Sequence, residues 1–437
     1  MLDIERKTLG PGHYSVLVIG GGQAGLSMSA ELKSEGIGHV LLEKHRRGHN
    51  WREFRWDSFC LVTPNWQCQL PGFDYVRDFG GTDPHGFMQR EEILDYFDAF
   101  VRKVAPPLME GVGVEKLSRA PSGQFSAETT EGLFTADQVV VAVGGYHREN
   151  IPRIAMRLPP RLKQIHSSLY KSPGQFPPGA VLVIGTGQSG CQIAEDLHLS
   201  GRKVHLCVGS APRAPRVYRG RDAVDWLADM GYYEMPVEDH PKGDGVRAQA
   251  NHYLTGRDGG REIDLRRFAL EGMALHGRLK EIEGEVLSFR DDLAKNLDEA
   301  DAVYNGIRAT IDRHIAATRI DAPVDAPYVP SWRPSGPSAP VDCAVEQISA
   351  VVWATGFASD YRWMDVPAFD GKGYPGHVRG VSPVSGLYFL GLPWQHTWGS
   401  GRFSGVARDA RHLKQHIVHW RGAAPSFPVA ARSKIPA

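Results

Sequence analysis

The sequence has few of the features that mark secreted, membrane-bound or nucleic-acid-binding proteins. It has only five cysteines in 437 residues, an odd number with no CxxC spacing. We therefore expect a reducing cytoplasm, no disulfide framework and no metal site. Its 50 basic residues balance 50 acidic ones, so no overall field would attract nucleic acid or an anionic membrane. No apolar run approaches the length of a membrane span, and the start, MLDIERKTLG, has no apolar signal-peptide core.

The most informative feature that is present is a repeated decapeptide. VLVIGGGQAG at 16–25 and VLVIGTGQSG at 181–190 agree at eight of ten positions. Each begins with the apolar run of a buried parallel strand and continues into a glycine turn. The segments that follow have a helical pattern and end at Gly36 and Gly201. With 42% hydrophobic and 23% charged residues, the chain has an enzyme-like composition and the length of two or three domains.

Both decapeptides, called the first and second fingerprints below, follow the GxGxxG pattern of a dinucleotide-binding turn. The first glycine allows a tight turn, the second lets the backbone approach a pyrophosphate, and the third lets the helix pack closely. The helix N-terminus then presents free N–H groups to the phosphates. The sequence therefore predicts an α/β fold with two Rossmann-like domains. The candidate cofactor-binding residues are Gly20, Gly22, Gln23, Ala24 and Gly25 in the first fingerprint, and Gly185, Gly187, Gln188, Ser189 and Gly190 in the second.

The two fingerprints differ in the residue that lies 18 positions after the last glycine. The first copy has Glu43 there, and a carboxylate at this position accepts hydrogen bonds from ribose hydroxyls and repels a 2′-phosphate. The second copy has Val208, followed by Ser210, Arg213 and Arg216. Arginine binds phosphate through a fixed fork of donors, which favours NADP. The first site is therefore predicted to bind FAD or NAD and the second NADP, although these arginines could also belong to a solvated loop.

Two similar strand-to-glycine turns predict where the chain passes between the cofactor domains. They are Ala142-Val143-Gly144 and Ala354-Thr355-Gly356. Because the second fingerprint lies between these two turns, we predict that an NADP domain is inserted into an FAD domain. We predict FAD-domain segments at 1–155 and 342–437, and an NADP domain at 156–341 with a helical insertion at about 222–320 and a proline-rich linker at 323–340.

Apolar periodicity and short motifs predict the remaining elements. An apolar stripe at spacings of three and four, from Phe289 to Ile315, predicts one long helix. Its role is assigned to core packing, with a lid or a homodimer contact left open. GLYFLG at 386–391 predicts a strand, and SGVARDARHLKQHI at 404–417 a closing helix.

With these motifs in this order, from Val16 to Ile417, the chain resembles the class B flavin-dependent monooxygenases, which include the flavin-containing monooxygenases. HSSLY at 166–170 is similar to the end of that family's motif FxGxxxHxxx(W/F/Y), but Pro160 and Leu162 stand in place of the Phe and Gly. Val143 also replaces the usual Thr of the first turn. FRWDSFCLVTPNWQCQLPGFDY at 54–75 resembles a bacterial subgroup whose genes tend to lie beside nitrilase-type genes.

The resemblance implies a cytoplasmic enzyme that uses FAD, NADPH and O2 to oxygenate a small metabolite. It implies a C4a-hydroperoxyflavin and, from the subgroup, oxygenation at an amine nitrogen. Thr63 and Asn65 are the candidates near the flavin C4a, although Thr-Pro-Asn could equally be a capped turn. Trp51, Trp56 and Trp66 are candidates for the floor of a flavin or substrate pocket, and one or two of them are expected to be core residues. The cofactor sets are completed by Gly144, Gly391 and Ser404 for FAD, and by Ala354, Thr355 and Gly356 for NADP.

Several other functions stay open at this point. Baeyer–Villiger oxygenation would give Arg216, Arg219 or Arg221 a peroxide-stabilising role, and S-oxygenation is a further alternative. An NADPH-dependent flavin reductase or electron-transfer flavoprotein is possible, but Cys60 and Cys68 lack the spacing of a redox pair. A sensor would hold both cofactors without turnover. His396 is a lone histidine, which is more often structural than functional.

Overall fold

The computed structural model describes residues 9–422. The helices in this part of the chain are α1 (Gln23–Ser34), α2 (His49–Glu53), α3 (Arg90–Val104), α4 (Gln188–Leu199), α5 (Ala223–Asp229), α6 (Leu265–Leu270), α7 (Leu293–Thr318) and α8 (Val406–Gly422). The strands are β1 (Gly12–Ile19), β2 (His39–Glu43), β3 (Gln69–Leu70), β4 (Phe73–Asp74), β5 (Leu108–Glu110), β6 (Val114–Arg119), β7 (Phe125–Thr129), β8 (Gly132–Val141), β9 (Arg148–Glu149), β10 (Lys163–His166), β11 (Ala180–Ile184), β12 (Val204–Cys207), β13 (Val217–Tyr218), β14 (Arg221–Asp222), β15 (Ala274–His276), β16 (Leu279–Glu283), β17 (Val286–Phe289), β18 (Val341–Asp342), β19 (Ile348–Trp353), β20 (Phe357–Ala358), β21 (Met364–Asp365) and β22 (Leu387–Phe389).

The first large sheet contains the first fingerprint. Its strand order is β21-β6-β7-β8-β1-β2-β5, and β22 pairs with β8. The strands β5, β2, β1, β8 and β22 run parallel, whereas β6, β7 and β8 form an antiparallel meander. The four apolar residues Val16–Ile19 are all buried because helices and loops cover both faces of the parallel part.

The second large sheet contains the second fingerprint and is parallel throughout, in the order β10-β19-β11-β12-β15. In β11 every residue is buried, and β12 follows α4 in the same way that β2 follows α1. Two such strand–turn–helix–strand units in parallel sheets confirm the predicted fold class, an α/β protein with two Rossmann-like domains.

The position of strand β19 differs from one predicted domain boundary. The sequence predicts the return to the first domain at residue 342, but Ile348–Trp353 is an interior strand of the second sheet, between β10 and β11. Its apolar residues are mostly buried in that sheet. The chain rejoins the first sheet only at Met364–Asp365, which pairs with β6. The linker had suggested the earlier boundary because prolines mark a break in structure but do not show which sheet follows.

The two connections between the large sheets lie side by side. β9 follows the turn at Gly144, β20 follows the turn at Gly356, and the two strands pair antiparallel. The buried His166 supports this pairing, since its Nε2 lies 2.9 Å from the Gly356 carbonyl oxygen. Both strand-to-glycine turns are therefore crossing points between the sheets, as predicted.

The inserted segment contains the predicted long helix and little regular structure after it. In α7, the apolar stripe is buried or partly buried from Leu293 to Ile315. Phe289, which we had counted with the stripe, instead ends β17, and Asp292 stands at the N-cap. The described backbone has neither helix nor strand from 320 to 340, in agreement with a proline-rich connection.

The closing helix α8 packs against α1, where Lys414 pairs with Glu31 and Glu35 at 3.1 and 2.9 Å. None of the helices within 9–422 combines the length and apolar character needed to cross a membrane.

Truncation of Ile311 tests the packing of α7, because this side chain is fully buried against Trp226 and its neighbours. We expect Ile311→Ala to lower the free energy of unfolding by about 2–5 kcal/mol through lost burial and a cavity. Val303→Ala, on the exposed side of the same helix, should change it by less than about 0.5 kcal/mol. Equal effects of the two variants in urea denaturation would contradict the predicted packing.

Candidate functional site

The first fingerprint forms a turn that only glycine can occupy at two positions. Gly20 has a φ of +111°, and a Cβ there would lie 2.6 Å from the Ala142 carbonyl oxygen. A Cβ on Gly25 would lie 1.8 Å from the Gly20 carbonyl oxygen. Both distances are far shorter than a van der Waals contact, so the strand, the turn and the helix can pack this closely only without side chains.

The second fingerprint repeats this geometry almost atom for atom. Gly185 has a φ of +106°, and its Cβ would lie 2.6 Å from the Ala354 carbonyl oxygen. A Cβ on Gly190 would lie 1.9 Å from the Gly185 carbonyl oxygen. Each fingerprint therefore packs directly against a crossing turn.

The middle glycines behave differently. A Cβ on Gly22 or Gly187 would meet no protein atom within 4 Å, and both residues are helix N-caps with ordinary negative φ. Nothing in the folded chain requires glycine there, which fits a backbone that a pyrophosphate approaches closely. Neither helix has a side-chain N-cap, so its first N–H groups are available to an anion.

A cavity of about 530 Å³ runs along the first fingerprint and reaches the crossing segment. Its lining comes from the fingerprint turn, the end of β2, the α2 region, the first crossing turn, the insertion and the turn before α8. Among the lining residues are Gly20, Gly22, Gln23, Ala24, Glu43, Trp51, Arg55, Gly144, Tyr146, Arg148, Asn251, Asp360, Gly391, Ser400 and Arg402.

Glu43 lies at the end of β2 and holds two backbone segments of the cavity. Its carboxylate accepts hydrogen bonds from the N–H of Gly21 at 2.6 Å and of His45 at 2.8 Å. Each carboxylate oxygen has further lone pairs, so these bonds orient Glu43 and leave acceptor capacity for ribose hydroxyls. The residues of this cavity therefore fit a dinucleotide such as FAD.

Gln23 joins the fingerprint to two other walls of the cavity. Its amide donates to the Gly401 carbonyl at 2.8 Å and accepts from the Trp51 indole N–H at 3.1 Å. The Trp51 ring also stacks on Phe403, with centroids 5.2 Å apart. Gln188 occupies the same position in the second fingerprint and holds the insertion in the same way, by bonding both backbone groups of Leu254.

The other predicted cofactor residues divide between the cavity and its surroundings. Gly144 and Gly391 line the cavity, but Ser404 does not, and its buried Oγ has no hydrogen-bond partner. Thr355 donates its hydroxyl to Asn150 and so ties the second crossing turn to the first. Ser210 is exposed at the end of the second unit.

Arg213 does not lie in a solvated loop. Its guanidinium is buried and pairs with Glu262 at 2.6 Å, Asp264 at 3.1 Å and Asp301 at 3.0 Å. Burial opposes this charge, but the carboxylates of Asp264 and Glu262 outweigh burial and raise the pKa of Arg213. With three carboxylates around it, Arg213 is already neutralised in this conformation.

Arg216 is likewise used within the protein. It pairs with Asp222 at 2.5 Å and donates to the Val62 carbonyl at 2.8 Å, with its guanidinium over the Phe87 ring. It therefore fastens the insertion to the loop at 62–87, outside the cavity lining. Arg219 and Arg221 pair with Asp312 and Asp229.

The stretch 54–75 contributes less to the cavity than the resemblance implies. The Asn65 amide donates to the Asp83 carbonyl and accepts from the Met88 N–H, at 3.0 and 2.7 Å. Neither Asn65 nor Thr63 lines the cavity, which favours the turn interpretation of Thr-Pro-Asn. Trp56 is core, and Trp66 donates to Asp225.

His396 also lies outside the cavity lining, where burial lowers its pKa.

The cavity is also lined by four residues that no sequence motif had indicated, namely Arg55, Tyr146, Asn251 and Arg402. They come from four distant segments and follow no fixed spacing. Only the folded chain brings them together.

Comparisons with known proteins agree with this geometry. Residues 17–228 match the family model described as pyridine nucleotide-disulphide oxidoreductase. A CzcO-like oxidoreductase of Geobacillus kaustophilus is 32% identical over 408 residues, which cover 92% of this chain and 98% of that protein. The chain belongs to the CzcO-like oxidoreductases.

Solved structures show how widely this family's fold is shared. A flavin-containing monooxygenase from Stenotrophomonas maltophilia is 18% identical with a TM-score of 0.64, covering 94% of this chain and 99% of that one. A bacillithiol disulfide reductase from Bacillus cereus is 16% identical with a TM-score of 0.59, covering 93% and 99%. The fold of the class B flavin monooxygenases is therefore confirmed, and the same fold also occurs in a disulfide reductase.

The two middle glycines allow cofactor contact to be tested separately from folding. We expect Gly22→Ala to lower the melting temperature of the apoprotein far less than Gly25→Ala does and to weaken FAD binding, because the added methyl at residue 22 extends only into ligand space. Gly187→Ala should weaken NADPH binding and leave FAD binding intact. Gly25→Ala is the contrasting variant, since its methyl would collide with the protein itself. A loss of apoprotein stability in Gly22→Ala as large as that in Gly25→Ala would refute this division.

Proposed function

We propose that this CzcO-like oxidoreductase is an FAD- and NADPH-dependent monooxygenase that inserts one oxygen atom of O2 into a small metabolite. The observation that carries the proposal is the cavity along the first fingerprint, which reaches the crossing segment at Gly144–Arg148. One dinucleotide can lie along the fingerprint, with its far end where the second domain begins.

The residues along the cavity have distinct roles toward FAD. Glu43 would accept ribose hydroxyls, and Gly22 with the N-terminus of α1 would receive the pyrophosphate. Trp51, fixed by Gln23 and Phe403, would support the isoalloxazine end. When bound, FAD supplies a hydride acceptor and the reduced ring that reacts with O2.

The overall reaction consumes NADPH, a proton and O2, and it yields NADP+, water and the oxygenated product. The chain's contribution is binding, orientation and exclusion of water. The insertion takes part because Asn251 reaches the cavity, while Leu254 is held by Gln188 of the second fingerprint.

Arg213 and Arg216 pair with protein carboxylates and therefore do not support a preference for NADPH. The preference for NADPH over NADH rests instead on position 208, where valine replaces the carboxylate that would repel a 2′-phosphate. A 2′-phosphate would meet no acidic residue at the end of β12 comparable to Glu43. We therefore propose NADPH as the hydride donor.

Amine nitrogen is our proposed site of oxygenation, and it rests on the resemblance of 54–75 alone. S-oxygenation and Baeyer–Villiger oxygenation are distinguished from it by the product. Incubation with isotopically labelled O2 and a panel of amines, thioethers and ketones should label an amine product.

Oxygen chemistry provides the main test. The purified FAD-bound protein is reduced anaerobically with NADPH and mixed with O2 while absorbance is recorded. We expect the oxidised flavin spectrum to return after a lag, with hydrogen peroxide appearing later than O2 is consumed. Because a monooxygenase of the class that this chain resembles retains activated oxygen until substrate arrives, a single rapid phase with immediate peroxide release would contradict the proposal. Absence of NADPH consumption would favour a sensor.

A disulfide reductase is the main alternative, because the family model that matches residues 17–228 is described as pyridine nucleotide-disulphide oxidoreductase and a bacillithiol disulfide reductase has a similar fold. All five cysteines are free and buried, and burial raises the pKa of the Cys60 thiol to about 11. Since the thiolate is the reactive form, Cys60 is protonated at neutral pH.

Thiol alkylation separates the two activities. We expect iodoacetamide treatment of the native protein near neutral pH to leave the rate of NADPH oxidation unchanged. Mass spectrometry of the treated chain would report the extent of modification. Parallel loss of activity and of one free thiol would favour the reductase.

A further inference from the structure

Two of the arginines that line the cavity have no carboxylate partner among the residues that the structure describes. Arg55 follows α2, and Arg402 lies in the turn before α8. Although they are 347 positions apart in the sequence, both line the same cavity, together with Tyr146 and Asn251.

Each guanidinium contacts neutral groups. Arg55 donates to the Phe54 carbonyl at 2.8 Å, and its guanidinium lies 5.0 Å from the centre of the Trp51 ring. Arg402 donates to the Trp398 carbonyl and, at 2.8 Å, to the Asn251 side chain. Its guanidinium lies 4.1 Å from the centre of the Trp398 ring. Within residues 9–422, neither arginine forms an ion pair.

The deeply buried arginines elsewhere in the protein show the contrast. Arg213, Arg216 and Arg266 each pair with at least one aspartate at 2.5–3.0 Å. Burial lowers the pKa of Arg55 and of Arg402, in keeping with guanidinium groups that have no carboxylate within ion-pair distance.

The acidic side chains of the cavity are used elsewhere. Glu43 accepts from two backbone N–H groups. Asp360 pairs with Arg148 at 3.3 Å and with Arg362 at 2.6 Å. The free positive charge of Arg55 and Arg402 is therefore directed toward whatever enters the cavity.

We propose that Arg55 and Arg402 form an anion subsite that binds the carboxylate of the substrate. This inference rests on the proposed function, and it adds the substrate class, a small carboxylic acid with an apolar or aromatic body. Arginine presents a planar fork of donors that matches a carboxylate. The rings of Phe54 and Tyr146 supply the apolar wall.

Phosphate is the other anion that this site could attract, from FAD or from NADPH. The first fingerprint already provides glycine backbone and a helix N-terminus for the FAD pyrophosphate. The second provides the same for NADPH. Arg55 and Arg402 lie on segments outside both fingerprints, so we assign them to the substrate carboxylate and not to a cofactor phosphate.

Calorimetric titration of benzoate into the FAD-bound protein tests the subsite. We compare the wild type with Arg55→Gln and Arg402→Gln, and use Arg157→Gln, an exposed arginine away from the cavity, as the charge-matched control. Benzamide, an uncharged probe of similar shape, is titrated in parallel. Loss of one charged hydrogen-bonding group should weaken benzoate binding by about 10–100-fold and leave benzamide binding unchanged.

The affinities for FAD and NADPH, measured on the same variants, identify the source of the anion. Unchanged cofactor affinities with weakened benzoate binding support the proposal. Weaker binding of FAD or NADPH without any effect on benzoate overturns it in favour of a phosphate subsite. Failure of the wild type to bind benzoate, or equal binding of benzamide, also overturns it. A purified protein that takes up no FAD contradicts the proposed function instead, so the two failures are distinguishable.

Discussion

The close approach of two glycine turns to two carbonyl oxygens determines the arrangement of this protein. Gly20 faces the Ala142 carbonyl, and Gly185 faces that of Ala354, in each case at a distance that excludes a side chain. Each contact places the end of one strand beside the turn through which the chain leaves for the other sheet. Since the crossing strands then pair with each other, the same constraint sets both the fingerprints and the cavity beside them.

The insertion is held against this frame by charged and polar contacts. Asp196 on α4 accepts from Ser58 at 2.6 Å and from Tyr170 at 2.5 Å, and it pairs with Arg257. It therefore joins a loop of the first domain, the segment before the second fingerprint and the insertion. Arg216 makes a second connection through the Val62 carbonyl. These buried groups explain why arginines near a nucleotide fingerprint need not bind phosphate.

Much of the fold could be predicted because it depends on local patterns. Apolar runs followed by glycine turns identified both Rossmann units, and the stripe identified α7. The position of β19 could not be predicted, since its apolar sequence suits either sheet and only pairing decides. The ion pairs of Arg213 and the hydrogen bonds of Asn65 could not be predicted for a related reason. Their partners, Asp301 and Asp83, are distant in sequence, and nothing local distinguishes a paired side chain from a free one.

The central claim is that each fingerprint holds its own cofactor and that both cofactors meet at one cavity. A crystal structure of the protein with FAD and NADP+ tests it most directly. We predict the FAD adenosine beside Glu43, the flavin ring beside Trp51, and the NADP+ pyrophosphate at Gly187 with its nicotinamide facing the flavin. Electron density for FAD along the second fingerprint, or for both cofactors at separate sites that do not meet, would contradict the claim.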